Sequence, residues 1–200
     1  MAIMQATPGV QNNGDTQPVG LRAGKQGELI ISRLHGAHYE QTYRGNIFSI
    51  SNQAAVTTTA GLATTFTGLS LGNPIGSGVN LAILRFKVGQ AAVGAAAAVG
   101  IMGGVGTITA SLTPQSRILG SGQVPKATAT AGQTISTPVL IGSMAGVGSL
   151  ATTGYGLQLG VDDNIDGCLI VPPGSFIASY TSGVTTSSLI FGFLWEEIPV

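Results

Sequence analysis

Apolar positions in this chain recur in runs of strand length, set apart by Gly, Pro, Asp or Ser. The most regular run is the last. In SSLIFGFLWEEIP, Leu189, Phe191, Phe193 and Trp195 fall at every second position and share one face of an extended chain, which predicts a core strand ended at the rim by Glu196 and Glu197. Gly192, on the opposite face, points to close packing there. NLAILRFKV predicts a second interior strand, with Ala82, Leu84, Phe86 and Val88 on the buried face and Arg85 and Lys87 on the other. Upstream, GELIISRL (27–34) and IFSISN (47–52) read as two strands joined by the polar connection HGAHYEQTYRGN. The Thr-rich run VTTTAGLATTFTGLSL (56–71) reads as extended structure closed by the turn signal Gly72-Asn73-Pro74. Downstream, SRILGSG, TISTPVLIGSM, GYGLQLGV and CLIVPPGSFIASY complete a pattern whose spacing fits a sandwich or a barrel.

Composition sharpens this into an all-β fold class. The chain holds 31 Gly and 37 Ser plus Thr against 12 residues of Glu, Lys and Arg, the charged types that usually cover a helix. Gly disfavours a helix interior by about 1 kcal/mol per position, whereas Thr, Val, Ile and aromatics suit a pleated surface. Residues 1–27, with Pro8, Asn12, Asn13 and Pro18 breaking any period, read as an extended N-terminal arm, and residues 28–200 as one β-sandwich domain. The small-residue run from Ala91 to Gly106 has no polar side chain but is shorter than the roughly 20 residues that span a bilayer as a helix. It reads as a loop or strand packed closely against a neighbouring subunit.

Charge changes the picture further. Eight basic and eight acidic residues give zero net charge and a charged fraction of 8%, against about 25% in ordinary globular chains. Over the surface expected of a monomer of this size, that leaves about 540 Å² per charge, which is poor colloidal protection. Partners are expected to cover much of the surface, and self-association into a closed oligomer such as a homotrimer is the first expectation. Scattered basic residues argue against nucleic acid as a partner, and neither a membrane segment nor an export signal is apparent.

Candidate chemistry is sparse. Gly68-Leu69-Ser70-Leu71-Gly72 matches the G-x-S-x-G of a nucleophile elbow, but Asn73-Pro74 follows where a helix should start and His35 and His38 both lie upstream. It reads as a Gly-flanked strand end. Asp162-Asp163-Asn164-Ile165-Asp166-Gly167 copies the first half of an EF-hand loop, yet Pro173 stands where the bidentate carboxylate belongs. Asp162, Asn164 and Asp166 remain a candidate low-affinity cation site, and the preferred reading is an Asp/Asn turn between strands. His35, His38 and Glu40 are metal-ligating types, but residues three apart on a strand point to opposite faces. No phosphate-binding glycine motif stands before a helix. Cys168, the single cysteine, allows no intrachain disulfide and reads as a small core hydrophobe. No catalytic or cofactor-binding residue is assigned, and an enzyme is not expected.

Three stretches together carry a resemblance: GELIISRLHGAHYEQTYRGNIFSISN (27–52), TGLSLGNPIGSGVNLAILRF (67–86), and IDGCLIVPPGSFIASY (165–180) with the terminal FGFLWEEIPV. They resemble tailed-phage virion structural proteins, and most nearly the small decoration or cement proteins of the bacteriophage capsid. The resemblance implies a jelly-roll-like β-sandwich that sits as a homotrimer over junctions of the major capsid protein. It also implies synthesis in the host cytoplasm and a final place on the capsid exterior. A head-fibre, tail or host-recognition virion protein, with or without carbohydrate binding, is the alternative.

Overall fold

The computed structural model describes residues 36–92, 95–147, 161–186 and 188–200. The arm expected over 1–27, the strand over 27–34, and all of GYGLQLGV except its last residue lie outside them. The chain divides into two units at Glu40/Gln41, and the sandwich belongs wholly to the second, Gln41–Val200. Within the polar stretch expected as a wet connection lies a single helical turn, α1 (Tyr39–Tyr43), which a backbone bond from Asn46 N to Gln41 O closes.

Ten strands follow: β1 (Ile47–Ser51), β2 (Thr65–Asn73), β3 (Val79–Gln90), β4 (Ala97–Val105), β5 (Gln115–Ser116), β6 (Thr128–Thr134), β7 (Val139–Val147), β8 (Val161–Val171), β9 (Ser175–Thr181) and β10 (Leu189–Pro199). They form two five-stranded antiparallel sheets, ordered β5-β1-β10-β3-β8 and β6-β2-β9-β4-β7. Setting aside β5 and β6, the strands pair first with last: β1 with β10, β2 with β9, β3 with β8, β4 with β7. This nesting is one long antiparallel hairpin rolled up so that successive pairs alternate between sheets, which makes the fold a jelly roll. β5 and β6, from the segment between β4 and β7, add one strand to the outside of each sheet.

The core between the sheets takes the alternating face of β10, where Leu189, Phe191, Phe193 and Trp195 are all buried. Phe86 stacks on Phe193 at 5.0 Å between centroids, and Phe48 on Trp195 at 6.2 Å. On β3 the face changes sides. Leu81 and Ile83 point into this core, and so do Phe86 and Val88, because Leu84 is an extra residue: Phe193, Leu194 and Trp195 oppose Phe86, Arg85 and Ile83. The expected single face of Ala82, Leu84, Phe86 and Val88 is therefore broken by a β-bulge. A second bulge, at Gly68-Leu69 of β2, turns Phe66 outward while Leu69 and Leu71 face the core. Phe66, Met102, Phe176 and Ala178 then form a small apolar cluster on the outside of the second sheet, covered by Ile108 and Ile135.

The small-residue run becomes β4, an interior strand between β9 and β7. Two of its glycines make close approaches to neighbouring strands of the same chain. A Cβ on Gly103 would lie 2.8 Å from Phe176 O, and one on Gly100 would collide with the backbone of Gly142. SRILGSG contributes only Ser116 to β5, and Leu119 is left exposed. No helix among the described residues is long and apolar enough to cross a membrane.

Candidate functional site

The covered outer face of the second sheet leaves the outer face of the first as the place where a depression forms. Outward positions there are small. β1 presents Ser49 and Ser51, and Gly192 of β10 lies between Ser51 on one side and Lys87 of β3 on the other, in register. Gly89 stands opposite Ile190, and Ser49 lies between Leu194 and Gln115. A row of small side chains in mid-sheet, with long ones on the flanking strands, makes a groove of about 360 Å³. Ile190 and Leu194 supply apolar floor, Arg117 and Gln115 stand on the β5 side, and Lys87 on the β3 side. The lining holds hydroxyls, amides and two cations, and no carboxylate.

Beside the groove, Arg85 Nη1 donates to Asp162 Oδ2 at 3.0 Å and Lys87 Nζ lies 3.4 Å from the same oxygen. These are exposed pairs, each worth about 0–1 kcal/mol. Asn164 Nδ2 donates to Asp166 Oδ2 at 2.7 Å. The three candidate cation ligands thus sit together on β8. However, the Asp162 carboxylate is engaged by two cations, and Asn164 turns its amide hydrogens, not its oxygen, toward Asp166. Among the described residues no group of three or more His, Cys, Asp and Glu side chains is placed to hold a metal ion. The segment is also not a turn between strands. β8 runs through it, and Ile165–Cys168 bulge out where Arg85 pairs with Asn164 and Ile83 with Leu169. Asp166 and Gly167 supply the bend with φ of 48° and 79°.

That bulge corrects the reading of Cys168, which is exposed rather than part of the core. Ser70, the centre of the elbow-like motif, lies inside β2 with no exposed surface and donates to Thr130 O at 3.4 Å. A reagent in solution cannot reach it. His35 is outside the described residues, and His38 directly precedes α1, which carries Glu40. Glu197, expected at the rim, is instead buried. Its carboxylate accepts from Lys126 N at 2.8 and 3.0 Å and from Ala127 N at 3.0 Å.

The groove escaped the sequence reading because its residues come from four strands and none belongs to a motif. One signal was present: on strands whose inward residues are large, the outward positions 49, 51, 89 and 192 are Ser or Gly where exposed strands usually carry longer polar residues.

A third surface feature is the edge strand β7, VLIGSMAGV, which has no charged residue. Val139, Leu140 and Ile141 are 63%, 40% and 50% exposed. Natural edges are usually protected by Lys, Pro or a bulge; this stretch has neither Lys nor Pro, and it bulges at Ile141 and Met144, where its pairing with β4 skips a residue.

No protein-family model, no curated protein sequence and no solved structure matches this chain.

Proposed function

We propose that the protein is a non-enzymatic virion structural protein of the cement or decoration type, which binds over junctions of the major capsid protein and stabilises the head. The observation that carries this reading is the β7 edge: three consecutive exposed apolar residues on an uncharged strand, in a chain with sixteen charges. The bulges at Ile141 and Met144 interrupt a regular strand edge, so what these residues invite is apolar docking by another chain. A high-copy lattice supplies such chains, and mass action then stabilises the bound form. The resemblance of 27–52, 67–86, 165–180 and 191–200 to tailed-phage virion proteins, and the jelly roll itself, support the same reading, although a fold alone hosts many functions. In this account interface area carries the work, as a mechanical tie against internal genome pressure. A second reading, a head-fibre, tail or host-recognition protein, is favoured by one observation, the open polar groove on the first sheet.

The test is quantitative mass spectrometry of purified particles from the source that encodes the protein. A copy number in fixed proportion to the major capsid protein supports the cement reading. Absence from particles overturns it, and a handful of copies per particle favours the second reading.

A further inference from the structure

We infer that the groove on the outer face of the first sheet is a binding site for a carboxylate-bearing oligosaccharide. This inference stands apart from the cement assignment and needs only the groove. Its size, about 360 Å³, falls within the roughly 300–1,000 Å³ of small-ligand sites. Its floor is built on β1, β10 and β3; β10 and β3 are paired on both sides, and β1 is paired with β10 throughout and with β5 at Phe48 and Ser49. Over β10 and β3 an incoming peptide finds no free strand edge, and recognition there falls to side chains.

Those side chains select a ligand class. Lys87 and Arg117 stand on opposite walls, three strand spacings apart, and Arg117 lies beside Ile47 while Lys87 is in line with Gly192 and Ser51, so their backbones are about 20 Å apart at ordinary strand dimensions. A single small anion cannot meet both. A chain of at least two sugar rings can, with a carboxylate toward one or both walls. Lys87 already shares Asp162 with Arg85, so the stronger anchor is Arg117, which makes no ion pair among the described residues and whose guanidinium offers the fork that suits a carboxylate. Between the walls, Ser49, Ser51 and Gln53 match ring hydroxyls. Ile190, Leu194 and the bare backbone of Gly192 and Gly89 give a flat, aliphatic floor for ring C–H faces. Single-stranded nucleic acid also brings anions and sugars, but it binds through aromatic stacking platforms, and the phenylalanines of the lining, Phe191 and Phe193, are turned into the core.

The test titrates full-length protein with three acidic probes, an oligogalacturonate, an oligosialic acid and a hyaluronan tetrasaccharide. Neutral maltotetraose, an oligothymidylate and a polyglutamate peptide serve as comparators. At least one acidic saccharide should bind, with affinity that falls as salt is raised and exceeds that of every comparator at least tenfold. The double variant Lys87→Gln with Arg117→Gln, both at exposed positions, should weaken binding at least tenfold. Gly192→Val should do the same by filling the floor, where an added Cβ meets nothing closer than 3.4 Å. Circular dichroism confirms the fold of each variant, and should Gly192→Val fail to fold, the charge variant decides alone. The inference is overturned by failure of all three acidic probes to bind, by binding indifferent to the charge variant, or by a comparator binding as well.

Discussion

Trp195 closes the core at one end of β10, with no exposed surface and its indole Nε1 3.5 Å from Glu197 Oε1. Replacing a buried Trp by Ala costs about 3–5 kcal/mol, so Trp195→Ala should unfold a domain of ordinary stability. In the native chain its fluorescence should peak at short wavelength and resist a neutral quencher. Emission like that of free tryptophan would place it on the surface. Two residues on, the same alternation carries Glu197 inward, where its carboxylate ties β10 to the backbone leading into β6. Glu197→Ala leaves the buried Ala127 N–H without a partner, at about 1–3 kcal/mol, frees the half-buried Lys126 N–H as well, and should lower Tm by several degrees in a calorimetric scan. An unchanged Tm would show that water replaces the carboxylate. The alternation from Leu189 to Trp195 was plain in the sequence. The partner of Glu197 was not, because Lys126 lies 71 residues away and contributes only its backbone.

At the scale of elements, pattern reading succeeded where a strand keeps one face throughout and failed where a bulge switches it. β10 is the first case. β3 is the second: Leu84 sits in the middle of an apolar run, and nothing in NLAILRFKV tells which residue will be skipped by the neighbouring ladders. For β8, Asp162–Gly167 carry turn residues, and the bend they make is a bulge held between Asn164 and Leu169 by continued pairing to β3. β6, TATAGQT, has the residue types of a loop, and its place beside β2 makes it a strand. β4 depends on glycine for reasons of space. Gly100→Ala should cost about 1–3 kcal/mol or more, since the new methyl meets Gly142 backbone, which cannot rotate away. Gly142→Ala, with nothing within 4 Å of its added Cβ, should be far milder. Equal denaturant midpoints for the two variants would contradict this β4–β7 contact.

For the whole molecule, the all-β composition and the turn spacing made a sandwich legible, while the jelly-roll order depends on pairings between distant strands such as β1 with β10. The same scale holds the argument for assembly. The two apolar faces of the sheets are satisfied internally, one by the central core and one by the Ile108–Ile135 cover; exposed apolar residues such as Ile75, Leu119 and Val124 are scattered, and β7 carries three in a row. In sedimentation the protein should run well above its 20.0 kDa chain mass, and Leu140→Lys with Ile141→Lys should shift it toward that mass without altering circular dichroism. A soluble native monomer would remove the argument from low charge.

The central claim is that this jelly roll is a part of a particle, held through its β7 edge. A cryo-electron-microscopy reconstruction of the purified particle tests it most directly. The account predicts density for the sandwich on the outer surface at junctions of the major capsid protein, with Val139, Leu140 and Ile141 buried against a neighbouring chain. A shell that lacks this density, or one in which the β7 edge faces solvent, would contradict it.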